Sequence, residues 1–210
     1  MQTFPKTLNL LPLVVAVAAV VGGAGLVFSL WYWASPKSTQ VGYAPRQPVP
    51  YSHRLHAGQL GMDCRYCHAQ VERSAHAMIP PTQTCMGCHA VVKQGSPQLQ
   101  PVYDSWETGD PIEWVRVHKV PDHAYFNHSV HLSAGVGCEN CHGRIDQAEV
   151  VRVEAPLSMG WCIECHRNPE SSLRPVSEIT TMGWEPDPSW DAAAAAAAVN
   201  PPQHCSACHR

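Results

Sequence analysis

Five short cysteine motifs recur along this chain of 210 residues, each of the form Cys-x-x-Cys-His. In this arrangement the two thiols can form thioethers to one porphyrin, while the adjacent imidazole binds its iron. The motifs use all ten cysteines: Cys64, Cys67, Cys85, Cys88, Cys138, Cys141, Cys162, Cys165, Cys205 and Cys208. The expected proximal iron ligands are His68, His89, His142, His166 and His209. The sequence therefore predicts five covalently bound haem c groups.

Three other roles for these cysteines explain the sequence less well. Structural zinc sites use pairs of cysteines but need no histidine directly after each pair. A disulfide framework would leave the five following histidines unexplained. A thioredoxin-like redox motif occurs singly and in a βαβ context. Haem attachment accounts for every one of these side chains.

Each iron also needs a ligand on its second face, and eight further histidines are available for this purpose. An iron held by two imidazoles is coordinatively saturated, which favours electron transfer over substrate binding. We therefore predict no catalytic residue. The eight histidines are His53, His56, His76, His118, His123, His128, His131 and His204.

Four of these histidines form two His-x-x-His pairs at equivalent places in a repeat. We expect His53 to close the first haem and His128 the third, each reaching its own downstream motif. His56 and His131 lie about one helical turn further on. We expect them to reach haems of another unit and so to join the two units.

For the remaining haem we prefer His118, which follows the connecting segment, over His76 and His123. His204 is too close to Cys205 to reach the far face of its own haem. One His/Met iron would have a higher potential than its neighbours and could set a direction for electron flow. The methionines considered for that role are Met62, Met78, Met159 and Met182.

The elements that must position these ligands are themselves duplicated. An aromatic-x-His-x-x-His sequence, starting at Tyr51 or Phe126, precedes one motif, a proline-containing spacer and a second motif. This indicates a duplicated dihaem module. Trp114 to Val120 is the one strand-like stretch between the modules. We expect a membrane anchor at residues 1–34 and a Pro-rich linker at residues 35–50. A first dihaem module with its connector follows at 51–125 and a second dihaem module at 126–170. A Pro/Trp-rich tail at 171–210 carries the fifth haem.

Composition limits the fold. The formal charge is −3, from 14 basic and 17 acidic side chains, so nothing suggests nucleic-acid binding. The chain has 19 prolines, and five macrocycles would replace most of an ordinary protein core. We expect a mostly irregular and α-helical multihaem cytochrome c, with short helices around stacked haems and one N-terminal transmembrane helix. Such a chain should not fold without haem.

The segment from Leu10 to Ala34 is apolar and carries no charge. It is long enough to cross a bilayer as one helix, and Trp31 to Trp33 suit an interfacial aromatic belt. A cleaved signal peptide is the rival interpretation, but the run is too long for a normal signal h-region. Since haem c is attached outside the bacterial cytoplasm, we expect a single-pass protein of the bacterial inner membrane with its haem domain on the periplasmic side.

Residues 35–50 contain four prolines and predict an extended linker. Fully stretched, it could reach ~50 Å at ~3.1 Å per residue, so the haem domain need not lie on the membrane surface. Linkers can also lie folded along a partner.

The run Ala192 to Ala198 fits a short helix, since alanine is the best helix former. It also fits a stretch whose side chains were never identified. The lack of periodicity around it favours that second interpretation, and no function is assigned to it.

The duplicated aromatic-x-His-x-x-His and haem-motif unit resembles class III multihaem cytochromes. With the single anchor, five motifs and the stretch Val117 to Asp122 leading into Phe126 to His128, the chain is similar to the pentahaem subunit of alternative complex III. That resemblance implies electron relay from a quinol-oxidising complex, through its iron–sulfur subunit, to a monohaem cytochrome c or a terminal oxidase. It also implies polytopic membrane partners and makes the chain a relay without the quinol site.

Three alternatives differ in chemistry or partners. A small membrane-anchored tetrahaem quinol dehydrogenase also has one N-terminal helix, but its first motif follows that helix closely. A multihaem reductase of nitrogen or sulfur oxyanions would need an iron with an open position. A periplasmic carrier for another dehydrogenase shares the chemistry and differs only in its partners.

Overall fold

The computed structural model describes residues 5–209, and its longest element is the N-terminal apolar helix. A 3-10 turn at Lys6–Leu10 leads into helix α1, Leu11–Trp33. The span Thr7–Trp33 is long and apolar enough to cross a membrane, and its most apolar window packs against nothing else in the chain. The expected single-pass anchor therefore has a matching helix, which ends in the Trp31 to Trp33 aromatic cluster.

The rest of the described chain consists of short helices joined by irregular segments. No β-strand occurs between residues 5 and 209; only the isolated bridges Ala124–His209 and Val136–Leu173 form. The expectation of a mostly helical and irregular fold is confirmed. The helices are α2 (Pro36–Thr39), α3 (Cys64–Cys67), α4 (Thr82–His89), α5 (Gln100–Thr108), α6 (His128–Ser133), α7 (Glu139–His142), α8 (Met159–Arg167), α9 (Ala192–Ala198) and α10 (Cys205–Cys208).

Each haem motif lies in or beside one of these helices, and local capping fixes where several of them begin. The Asp63 carboxylate accepts a hydrogen bond from the Arg65 N–H at the start of α3. The Ser158 hydroxyl accepts one from the Trp161 N–H at the start of α8. These are N-caps, which satisfy N–H groups that the first helical turn leaves unpaired. Helices this short are unstable alone, so contacts elsewhere must hold them.

The expected strand-like stretch at Trp114 to Val120 forms no strand. Its backbone is extended, but Val115 exchanges two hydrogen bonds with the side chain of Gln47, at 2.9 and 2.8 Å. An amide side chain thus takes the place of a neighbouring strand.

The second half of the linker lies against the haem region. Gly42 N–H donates to Val153 O at 2.8 Å, and Val153 N–H donates to Tyr43 O at 3.1 Å. Val49 is buried, at 5% exposure. Although the sequence allowed an extended linker, these residues are docked on their own chain.

Very little of the molecule is a conventional core. The buried apolar side chains among the described residues are Val49, Val102, Leu132, Val153, Leu173 and Ile179. The exposed surface is 14507 Å², whereas a compact monomer of 23.0 kDa exposes about 9,600 Å². The excess fits a polypeptide built around large prosthetic groups.

The tail is joined to the third motif by one buried arginine. Arg174, 7% exposed, donates to Thr181 O at 2.9 Å and to a Glu139 carboxylate oxygen at 2.7 Å. Its guanidinium carbon lies 5.2 Å from the centre of the Trp184 ring. A Cβ on Gly137 would clash with this guanidinium, so a larger residue there would force Arg174 to move.

Candidate haem-binding sites

The duplicated His-x-x-His sequences give two sites of matching geometry. In the first, the Tyr51 ring stacks on His56, with the ring centres 4.4 Å apart, and meets His53 edge-on, with the ring centres 4.8 Å apart. In the second, Phe126 stacks on His131 at 4.7 Å and meets His128 edge-on at 4.8 Å. The aromatic residue therefore fixes both imidazole planes. The sequence showed the aromatic position but not this packing role.

Each second histidine of these pairs faces the histidine of a haem motif. The ring centres of His56 and His89 are 6.2 Å apart, and so are those of His131 and His166. Two imidazoles bound to one metal at about 2.0–2.1 Å per Fe–N bond place their ring centres roughly 6 Å apart. Both pairs thus have the spacing of a shared iron.

These two pairs correct one expectation. His56 was expected to reach a haem of another unit, but His89 belongs to the same repeat unit. The same holds for His131 and His166. The His-x-x-His pairs therefore connect the two motifs within a unit. Sequence spacing alone could not decide this, because the spacer must fold back to bring α4 and α8 to them.

The fifth motif has a different partner from the one preferred on sequence. The rings of His123 and His209 are nearly parallel, with their centres 5.6 Å apart, and the Ala124–His209 bridge holds the two segments together. His118, the preferred candidate, instead lies 4.5 Å from His142 of the third motif. The difference arises because residues 121–124 turn back toward the C-terminus.

The first and third motifs lie together, with three further imidazoles around them. His53 is close enough to His68, and His118 and His128 to His142, for their charges to interact. His128 also crosses between the units, since its Nδ1 lies 2.8 Å from Ala75 O. His53 and His128 are thus near the motifs expected for them.

Most of these imidazoles are oriented by a backbone carbonyl at Nδ1. Examples are His68 with Met78 O at 2.6 Å and His166 with Pro202 O at 2.7 Å. Such a bond fixes the ring and leaves Nε2 for a metal. Met78 has φ of 60°, an uncommon conformation for a residue with a side chain, and its carbonyl contacts His68. The other rings so held are His56, His89, His128 and His131.

Two ring nitrogens are buried and have no hydrogen-bond partner in the described chain: Nδ1 of His53 and Nε2 of His118. A buried polar atom without a partner is costly. The donor set therefore fits a metal-bearing group better than it fits the polypeptide alone.

Burial favours the neutral form of two of these imidazoles, and only a neutral imidazole can bind iron. Burial, with a smaller contribution from His68 and His56, lowers the pKa of His53 to about 4. Burial together with the nearby His118 lowers the pKa of His142 to about 3.

The cysteines are all unpaired thiols. In residues 5–209 no group of three or more His, Cys, Asp or Glu side chains is arranged to hold a metal ion. Thiols of different motifs are close together, among them those of Cys64 and Cys138. Only Cys88 and Cys205 are exposed; the other eight cysteines are half-buried.

The remaining histidines are on the surface. His76 is exposed, and His204 is exposed with its Nδ1 3.1 Å from Ser206 Oγ. Neither faces a motif histidine in the described structure. Sequence reasoning missed His123 as the partner of the fifth motif, and it missed Arg174.

Comparison with known proteins supports the same chemistry. Residues 124–210 match the family model described as cytochrome c7 and related cytochrome c. The chain is also 32% identical, over 122 residues, to the "Menaquinone reductase, multiheme cytochrome c subunit" of Nitratidesulfovibrio vulgaris, with 56% of each chain covered. The chain thus spans about half the length of the curated relative it matches. Over residues 124–210 the chain is similar to cytochrome c7 and related cytochrome c, and its mostly helical and irregular fold agrees with that similarity.

Proposed function

We propose that this chain is a membrane-anchored pentahaem cytochrome that relays electrons from a quinol-oxidising complex to a downstream acceptor. The observation that carries the proposal is that the second, fourth and fifth motif histidines each face a further imidazole ring, with ring centres 6.2, 6.2 and 5.6 Å apart. Haem c held in this way supplies one-electron transfer with no open position for a substrate. The chain contributes axial ligands, thioether anchors and a surrounding of low polarity.

The proposed distal ligands follow the ring pairs. His56 serves the second motif, His131 the fourth and His123 the fifth. His53 serves the first motif, and one of the two imidazoles near His142, that of His118 or that of His128, serves the third. Their buried or backbone-bound nitrogens support this assignment.

The complex is proposed from two sources. The relative is named as a subunit of a menaquinone reductase, which acts on the quinone and quinol couple. The sequence resembles the pentahaem subunit of alternative complex III. We propose that this chain works in that complex, with an iron–sulfur subunit as donor, polytopic quinol-oxidising subunits and a monohaem cytochrome c or oxidase as acceptor. Helix α1 would cross the inner membrane, with the haem domain in the periplasm.

One observation favours a second candidate, a free-standing quinol dehydrogenase. The docking of Gly42 and Tyr43 on Val153 keeps the haem domain close to the end of α1. A haem near the membrane could then take electrons from quinol directly.

The test is to purify the native assembly by a tag before Met1, far in sequence from the motifs, and to measure haem content and quinol-driven reduction. We expect five haem c per chain, co-purifying iron–sulfur and polytopic subunits, and reduction only in their presence. A chain that purifies alone and is reduced by quinol would establish the second candidate. Fewer than five haems would refute the pentahaem assignment.

A further inference from the structure

We propose that the five motifs form one unbranched relay in the spatial order second, first, third, fourth, fifth, so that electrons enter and leave at the second and fifth motifs. The inference rests on the proposed function, because it needs haem at every motif. Each transfer oxidises one iron from ferrous to ferric and reduces its neighbour from ferric to ferrous. No bond is made or broken. The chain order of the motifs differs from this order at its first two positions.

The first and second motifs are in contact. The hydroxyl of Tyr66, inside the first motif, lies 3.9 Å from the place of a Cβ on Gly87, inside the second. Tyr51 joins the same region, because it packs on His53 and on His56.

The first motif also contacts the third. The side chains of Cys64 and Cys138 lie close enough to interact. Two adjacent tail residues bind both motifs: Ile179 O accepts from Cys138 N–H at 3.0 Å, and the Thr180 hydroxyl donates to Asp63 at 3.0 Å. The first motif therefore lies between the second and the third.

The fourth motif continues the series from the third. The Cys165 thiol lies 3.6 Å from the Ser172 hydroxyl. The next residue, Leu173, forms a bridge with Val136, two residues before Cys138. This segment therefore links the two motifs.

The fifth motif follows the fourth. Pro202 O lies 2.7 Å from His166 Nδ1, and the Gln203 amide donates to His166 O at 3.4 Å. Both residues come directly before the fifth motif, which they hold against the fourth.

Solvent exposure identifies the same two ends independently. Cys88, in the second motif, and Cys205, in the fifth, are the two exposed cysteines, while those of the first, third and fourth motifs are half-buried. A donor and an acceptor can approach most closely where the attachment residues are exposed. The terminal motifs of the contact series are therefore the accessible ones.

The test compares variants that each lack one of the five haems and keep the other four. Nearby redox groups repel each other's added charge, and this repulsion falls with distance. Cys64→Ala with Cys67→Ala removes a haem with two neighbours, so we expect the midpoint potentials of two other haems to shift. Cys85→Ala with Cys88→Ala removes a terminal haem, so we expect the midpoint potential of only one other haem to shift. The readout is a spectroscopic redox titration, with haem content confirming four haems per chain.

Two outcomes would overturn the order. If loss of the second motif shifts two potentials and loss of the first shifts one, the relay follows the chain order. If either loss shifts all remaining potentials equally, the haems form a compact cluster. Should the double variants not accumulate, His68→Met and His89→Met retain the thioethers and permit the same comparison. If a variant carries the expected number of haems but the wrong number of midpoint potentials shifts, the order is refuted and the proposed function stands.

Discussion

At the scale of single residues, the ring at the head of each repeat explains why two histidines three positions apart can serve different irons. Tyr51 and Phe126 stack on one imidazole and meet the other edge-on. The two imidazoles therefore point in different directions. Sequence spacing predicted these histidines as ligands, because both pairs recur at equivalent places. It could not identify which motif histidine each of them faces. That depends on how the chain folds back to bring segments about 30 residues away into contact with the pair.

The ligand proposed for the fifth motif can be tested by removing its ring. His123→Ala should leave one iron in five without a second imidazole, because His123 is the imidazole stacked on His209. We expect a high-spin signal from about one fifth of the haem in the electron paramagnetic resonance spectrum.

The matched control is His204→Ala, which removes an exposed histidine beside the same motif. We expect its spectrum to stay entirely low-spin. A low-spin spectrum for His123→Ala would show that another residue closes the fifth iron.

Asp63 predicts an acid-dependent contribution to stability. Hydrogen bonds from Arg65, opposed by partial burial and aided by Thr180, lower the pKa of Asp63 to about 2. Because the pKa in the unfolded chain is about 3.9, the carboxylate stabilises the fold above that pH, and this stabilisation is lost as the pH falls toward 2. The side chain is 42% exposed, so the effect should be under about 1 kcal/mol.

Asp63→Asn keeps a capping oxygen and removes the charge. Denaturant unfolding should show the wild-type protein more stable at pH 5 and the two proteins equal near pH 2. A difference that persists unchanged at pH 2 would exclude the charge as its cause.

At the scale of elements, the motif helices are too short to be stable alone and are held by contacts from distant segments. Helix α7 has four residues, and the tail residue Arg174 binds its Glu139. The sequence located the motif helices from the cysteine spacing. It did not predict this contact, because Arg174 lies 35 positions after Glu139 and no periodicity connects them.

Arg174→Met should be strongly destabilising. It would leave the mostly buried Glu139 without its cation and remove the hydrogen bond to Thr181 O. Breaking a buried ion pair from one side costs about 3–5 kcal/mol. The free energy of unfolding, measured by denaturant titration of the holoprotein, should fall by that amount.

Arg54→Met is the matched control, because its ion pair with Glu149 is exposed, at 55% and 54%. Its cost should be much smaller than that of Arg174→Met, because water screens an exposed ion pair. Gly137→Ala should destabilise like Arg174→Met, since its Cβ would strike the same guanidinium. Equal costs for both arginine variants would contradict a special role for Arg174.

At the scale of the whole molecule, the anchor and the haem domain are separable. The most apolar window of the span Thr7–Trp33 is entirely unburied within the chain, whereas residues from Gly42 onward pack on the haem domain. Replacing residues 1–34 by a cleavable export signal should therefore give a water-soluble protein. Its visible spectrum and haem content should equal those of the full-length protein.

A control that also deletes residues 35–50 tests the docked linker. It removes the contacts of Gly42 and Tyr43 with Val153 and of Gln47 with Val115. We expect it to be less stable than the shorter truncation. If the shorter truncation already loses haem, the anchor contributes to the haem domain.

Most of the architecture could be predicted from sequence because it depends on local signals. These are the cysteine spacing, the charge-free run of α1 and the high proline content. The order of the motifs in space could not, since it depends on tail residues such as Ile179 and Thr180 that carry no recognisable motif.

The docked linker limits how far the residues after Gly42 can move from helix α1. Eight residues separate Trp33 from Gly42 and four of them form helix α2, so at no more than ~3.6 Å each they span less than roughly 30 Å. If α1 crosses a membrane, as we propose, the haem domain could not diffuse freely away from that membrane. Electron exchange would then depend on neighbours in the same membrane or on carriers that diffuse to the domain, and the supply of those carriers would limit its rate.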